Sequence, residues 1–196
     1  MRVNKYIFFV IFLIIIIPIA LQMQSQDVVT KDNSKNTKQI DKNTGAFTLK
    51  SNMIEEGKML SGSSVGCNGE SIMPALSWDN APATTKSFAI TVFDPDAPTQ
   101  SGWWHFVAFN ISHKTKKLSF QKALPKGTVI LRNDRGDERF GGACPPKGEM
   151  HRYIFTIYAL DEKRLNLTKI SSNAMASFYF EKHAIAKSKI TTVYKR

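Results

Sequence analysis

The chain has 196 residues, with 27 Lys and Arg against 16 Asp and Glu, 42% hydrophobic residues and two cysteines. At roughly 100–200 residues per domain, that length allows one domain and a tail and excludes a multidomain machine. Two cysteines are too few to staple a coreless secreted scaffold, and ordinary apolar and charged fractions exclude wholesale disorder, so the folded part must stand on its own core.

Arg2 and Lys5 precede an apolar run from Tyr6 to Leu21, the basic and hydrophobic regions of a secretory signal. Ile7 to Leu21 is 15 residues, short of the about 20 that span a bilayer. Pro18 and Leu21 interrupt the small-x-small pattern around Ala20. Residues 1–25 are therefore read as a signal peptide or an uncleaved N-terminal anchor, and the rest as exported, periplasmic or secreted. Without residues 1–25 the chain keeps 25 basic against 16 acidic residues, or +9, a balance that favours anionic partners. From Gln22 to Gly45 the composition turns to Gln, Asn, Lys, Asp, Ser and Thr. Such a stretch buries too little surface to offset its ordering entropy. Residues 26–45 are read as a flexible polar linker and 46–196 as the folded domain.

Within that domain Ser87–Asp94 (SFAITVFD), Trp104–Ile111 (WHFVAFNI) and Tyr153–Leu160 (YIFTIYAL) are apolar at both alternating sets of positions. Strands covered on both faces read this way, so these three are predicted to carry the core. Phe47–Lys50, Leu76–Trp78 and Val129–Arg132 are shorter strand candidates, and Pro- and Gly-rich connectors fill Asp94–Gly102 and Gly141–Gly148. Asn173–Ala186 shows helical spacing behind Ser172 as N-cap. The basic tail Lys182–Arg196 is read as an exposed helix face. Strands followed by a terminal helix, without helical crossovers, predict a mostly β fold built as an antiparallel sandwich.

Two of the four histidines open core strands immediately after Pro/Gly loops: His105 after DPDAPTQSGWW and His151 after GGACPPKGEM. Residues i and i+2 of a strand face one way, so His151 and Tyr153 project together; His105 joins them if the two strands are neighbours. Imidazoles converging on one hollow can grip a phosphate, sulfate or carboxylate, and Asp94 can fix one ring's tautomer. The tryptophans Trp78, Trp103 and Trp104 are assigned to the core. Asn133–Arg139 (NDRGDER) is read as a solvated loop, and His113 and His183 receive no role.

The segments SIMPALSWDNAP, TKSFAITVFDPDAPTQSGWWHFVAFNI and GGACPPKGEMHRYIFTIYALD, in that order and spacing, resemble the phosphatidylethanolamine-binding protein (PEBP) family. The similarity is to its bacterial Raf-kinase-inhibitor-like branch of YbhB/YbcL type, over about residues 46–196. The resemblance implies a PEBP-like sandwich of two antiparallel sheets with a C-terminal helix and a small surface cavity for phosphate-like anions. Matched by motif, Asp94, Pro98, His105, Pro146, His151 and Tyr153 would line it, with Asp94 and the two histidines holding the anion and Asp96 bracing the loop. Only Thr99 to Gly102 separate DPDAP from Trp103, a shorter loop than eukaryotic relatives carry, so a lipid headgroup is not the expected ligand. Cys144 stands where those relatives have glycine. Cys67 and Cys144 either pair in an oxidising compartment or remain two thiols.

The function read from this is a binding protein for a phosphate-like anion, or for the anionic group of a larger ligand, that modulates a partner protein. Competing readings are a hydrolase acting on a phosphoester or carboxylate ester with a His/Asp acid-base site, and a protease inhibitor or interaction module. Peripheral or anchored membrane contact and a homodimer are compatible with the chain. Catalytic residues, cofactors, metals and nucleic acid are not expected.

Overall fold

The structure, a computed structural model, describes residues 45–119 and 122–196. The expected leader, residues 1–25, and residues 26–44 of the expected linker lie outside the described residues. In chain order the strands are β1 (Thr48–Lys50), β2 (Leu76–Asp79), β3 (Ser87–Asp94), β4 (Trp103–Ser112), β5 (Lys117–Leu118), β6 (Val129–Ile130), β7 (Met150–Leu160) and β8 (Ala184–Lys195). The helix α1 (Asn173–His183) precedes β8. They form a three-stranded sheet, β1-β2-β5, and a five-stranded sheet, β6-β4-β3-β7-β8, with antiparallel pairing throughout both.

The unbroken apolar runs of β3, β4 and β7 are explained by burial on both sides. On the inner face Phe88, Ile90, Val92, Phe106, Phe155 and Ile157 pack with Leu49, Leu76 and Trp78 of the smaller sheet. On the outer face Ala89, Val107, Phe109, Tyr158 and Leu160 lie with Ala176 and Phe180 of α1. Each fully buried side chain of this size contributes about 1.5–3 kcal/mol of transfer free energy. The Ser172 hydroxyl caps α1 by accepting from the Met175 N–H at 3.1 Å, replacing a backbone partner that the first turn lacks.

The end of the chain departs from the sequence expectation. The helix stops at His183, not Ala186, and Ala184–Lys195 is a twelve-residue strand paired with β7 along its whole length. The tail read as an exposed basic helix is therefore mostly sheet. The β-branched run Ile190–Val193 suits a pleated surface. Ile190 and Thr192 alternate inward while Lys187 and Lys189 stay outside, a period of two that the lysines had disguised. The two-residue strand β5 was also absent from the sequence reading, and β6 ends at Ile130 rather than Arg132.

Loop 141–146 is anchored to the segment before β2. Val65 and Ala143 form a parallel bridge, in which Gly66 N–H donates to the Ala143 carbonyl at 2.8 Å and Ala143 N–H to Ser64 at 3.1 Å. The backbones approach so closely that a Cβ on Gly142 would stand 2.6 Å from the Gly66 nitrogen, which requires glycine there. One step beyond this bridge, Cys67 and Cys144 form a disulfide across a sequence separation of 77 residues. A loop of that length is constrained in the unfolded chain by up to about 4 kcal/mol. Denaturant titration with and without dithiothreitol is expected to show a loss of about 2–4 kcal/mol on reduction; identical curves would remove the bond from the stability of this fold.

Candidate functional site

The carboxyl end of β3 is the reference point of the site. The strands that carry His105 and His151 are not neighbours, as one sequence expectation required; β3 runs between them. Asp94, its last residue, is 3% exposed and reaches both histidines. Its Oδ2 lies 2.8 Å from His151 Nδ1 and 3.9 Å from His105 Nε2, and its Oδ1 accepts from the Asp96 N–H at 2.8 Å. Burial opposes ionisation of Asp94, but the facing His105, the His151 hydrogen bond and the Asp96 N–H outweigh it and hold its pKa below the ordinary carboxylate value.

Both nitrogens of His151 face carboxylates, Asp94 at Nδ1 and Glu149 Oε2 at 3.2 Å from Nε2. Two acceptors on one ring call for a proton on each nitrogen. Burial works against that charge, but the Asp94 and Glu149 carboxylates overcome it and raise the pKa above 6.5. His105 is held differently, with Nδ1 2.6 Å from the Gly141 carbonyl and its ring edge-on to Tyr153. Since a carbonyl only accepts, Nδ1 carries the hydrogen, and Nε2 is left toward Asp94. Tyr153 is 1% exposed, and its hydroxyl hydrogen has no acceptor. Burial, with Asp94 nearby, pushes this phenol well above its ordinary pKa, so it stays a neutral donor.

These groups border a surface cavity of about 330 Å3. All six residues singled out by motif, Asp94, Pro98, His105, Pro146, His151 and Tyr153, line it. An ionised Asp94 with both oxygens engaged cannot hold an anion; it favours the charged form of His151 instead. Asp96 braces the first loop, taking both the Arg152 guanidinium, at 2.7 and 2.9 Å, and the Arg152 N–H at 2.8 Å. Thr99 Oγ1 closes that short loop on the Gly102 carbonyl at 2.6 Å. Gly102, at φ 69°, adopts the left-handed conformation that turns the chain into Trp103.

Sequence reasoning missed two cations and misplaced one tryptophan. Arg135 lines the cavity from the loop read as merely solvated. That loop is organised by Asn133, 4% exposed, whose Oδ1 accepts from the Arg135 and Asp137 N–H groups at 3.0 Å each. The Asn-Asp-Arg-Gly string is a turn signal from which this order could have been read. Arg196 also reaches the cavity, its backbone held by Gly148 and its guanidinium 4.0 Å from Cys144 Sγ; nothing local in the sequence marks it. Trp78 is fully buried as expected and Trp104, half-buried, packs against the outer-face core, whereas Trp103 lines the cavity. His183, given no role, pairs with Asp161 at 3.1 Å, remote in sequence from these loops.

The shifts fix a pH dependence. His151, raised above 6.5, contributes stability that is complete below its unfolded value and lost as pH rises through its folded one; Asp94, held below 3.8, contributes stability that disappears only as pH falls through its depressed value. Unfolding free energies measured from about pH 4 to about pH 9 are expected to decline on the alkaline side, and Asp94→Asn to flatten that decline. An alkaline limb just as steep in Asp94→Asn would assign it to other groups.

The family model for phosphatidylethanolamine-binding protein matches residues 50–195. The chain is 45% identical to the UPF0098 protein YbhB of Escherichia coli K12 over 135 residues, 66% of this chain and 85% of that one. It is 42% identical to YbcL of the same organism over 161 residues, 76% and 88% of the two chains. The crystal structure of E. coli YbcL, described as a new member of the mammalian PEBP family, superposes with a TM-score of 0.74 at 41% identity, covering 78% of this chain and 99% of that one. A putative phosphatidylethanolamine-binding protein homologue from Chlamydia trachomatis gives a TM-score of 0.70 at 27% identity, covering 78% and 99%. With the two-sheet sandwich, the C-terminal helix and the order of the signature loops all in agreement, the chain belongs to the phosphatidylethanolamine-binding protein family.

Proposed function

We propose that this is an exported binding protein whose cavity receives a phosphate-like anion, either free or as the anionic group of a larger ligand, and that occupancy modulates a partner protein. The observation that carries the reading is His151 on the border of an open cavity, with its Nδ1 2.8 Å from a buried Asp94 that favours the protonated ring. The Tyr153 hydroxyl and the guanidinium groups of Arg135 and Arg196 supply further donors around the same space. Charge-assisted hydrogen bonds to an oxyanion are about twice as strong as neutral ones, which makes this donor set better suited to an anion than to a neutral guest. Export is supported by the basic and apolar leader pattern and by the Cys67–Cys144 disulfide, since such bonds persist in oxidising compartments. A binding role is favoured over hydrolysis because the lining carries no activated nucleophile among the described residues: Cys144 is in the disulfide and Thr99 Oγ1 donates to Gly102.

Phosphate at a hundredfold excess over its Kd is expected to add about 2.7 kcal/mol of stability and raise Tm by roughly 5–10 °C. The His105→Ala/His151→Ala protein is expected to fold and lose that shift; an unchanged wild-type melting curve over millimolar phosphate would defeat the proposal. Glu149 occupies His151 Nε2 from an exposed position, so an incoming anion competes with it for that donor. Glu149→Gln is accordingly expected to tighten phosphate binding several-fold, read by calorimetry, because the replaced carboxylate no longer repels the guest. Weaker binding in this variant would mean that Glu149 matters more by favouring the protonated His151 than by repelling the guest.

A further inference from the structure

The exposed face of the smaller sheet carries charge that neither the core nor the anion cavity uses. From Ala97 to Asn133 the chain has no acidic residue, and Lys114, Lys116, Lys117, Lys122 and Lys126 fall within a short part of that stretch. All five are exposed, and none has an ion-pair partner among the described residues. Alternation along the strands explains the placement. Leu49, Leu76 and Leu118 point into the core, so their neighbours Lys50, Ser77 and Lys117 stand side by side on the outside. Lys50 pairs with Asp79 at 2.7 Å, whereas Lys117 keeps its charge uncompensated. Beside this row lies a groove of about 490 Å3, bordered by Lys117 and Lys122 and by Ser77, Ser119 and Asn52. The Ser77 and Ser119 hydroxyls and the Asn52 amide have no hydrogen-bond partner among the described residues, and no carboxylate lines the groove.

We propose that this groove is the docking site for an acidic segment of a partner protein, a short extended stretch carrying Glu or Asp. The groove supplies the partner surface that the proposed function calls for, and it rests on that reading only in this respect. Charge selects the sign of the guest: a basic rim without a compensating carboxylate attracts an anionic partner and repels a cationic one. Shape and composition select the kind of polyanion. Glu and Asp side chains reach the two ammonium groups, while peptide N–H and C=O groups meet Ser77, Ser119 and Asn52, whose side chains both donate and accept. Ala75, Ala123 and Pro125 give the aliphatic stems a small apolar floor. A bilayer surface is flat and leaves such a groove unfilled. None of the exposed large apolar side chains among the described residues, such as Met150 and Phe178, borders it for insertion into lipid. Single-stranded nucleic acid gains from stacking its bases on aromatic rings, and the described lining of the groove has no aromatic ring.

The test is an NMR titration of the 15N-labelled full chain with a peptide of alternating Glu and Ser, about twelve residues long and added to about 5 mM, a range that detects submillimolar Kd values. Saturable amide shifts are expected around residues 52, 77, 117, 119 and 122. Binding is expected to weaken about tenfold between about 50 and about 300 mM NaCl, and to be absent with Gln in place of Glu. Lys117→Gln with Lys122→Gln, at two exposed positions, is expected to weaken binding about tenfold or more. Lys189→Gln with Lys195→Gln removes the same charge from the opposite face of the sandwich and is expected to leave binding within about twofold. The phosphate-induced Tm rise is expected to persist in Lys117→Gln/Lys122→Gln, and peptide binding to persist in His105→Ala/His151→Ala, so failure of the groove and failure of the anion cavity are told apart. The proposal is overturned if the peptide gives no saturable shifts, or if the two lysine pairs matter equally. It is overturned too if phosphatidylglycerol vesicles or an oligothymidylate of equal charge bind through Lys117 and Lys122 more tightly than the peptide does.

Discussion

The contact between Asp94 and His151 organises the functional end of this molecule. Asp94 closes the middle strand of the five-stranded sheet, so it stands between the two strands that carry the histidines. A buried carboxylate needs partners, because an unpaired charge away from water is too costly to keep. The partners here are the Asp96 N–H and the His151 ring, with His105 facing the same oxygen from the other side. One acidic side chain therefore aligns the first loop, orients one imidazole and favours its charged form.

Around this contact the walls are fastened by interactions of different kinds. The first loop is drawn to β7 by the Asp96–Arg152 pair and closed by Thr99. The second is fixed from below by the Val65–Ala143 bridge, by the close approach of Gly66 and Gly142, and by the Cys67–Cys144 bond. The rim is less constrained: Glu149 is exposed and engaged only at its tip, a pair that is separated at small cost.

The outer sheet face follows from the same topology. Burial on both sides of β3, β4 and β7 requires a helix to cover the second face, but the eleven residues of α1 reach over only part of it. The remainder keeps Trp104, Phe93 and Ile154 half-exposed above a row of buried threonines. In the five-stranded sheet this surface lies opposite the packed inner layer, and none of the groups that surround Asp94 contribute to it.

Several features were legible in the chain itself because they are local. Continuous apolar runs in Ser87–Asp94 and Tyr153–Leu160 marked strands buried on both sides, Ser172 marked a helix start, and the paired loop motifs marked the cavity-lining residues. What stayed hidden depends on contacts between distant segments. The strand Ala184–Lys195 gains its hydrogen bonds from β7 and was masked by its lysines, and Arg135 and Arg196 enter the cavity only because Asn133 and Gly148 hold their backbones there. Residue type and spacing thus determined the sandwich class and, together with the family resemblance of the two loop motifs, six of the fourteen residues that line the pocket. Which strand lies between the histidines, which carboxylate takes which ring nitrogen and which cations complete the rim were decided by the tertiary structure, because hydrogen-bond register and side-chain distance exist only after the sheets have formed.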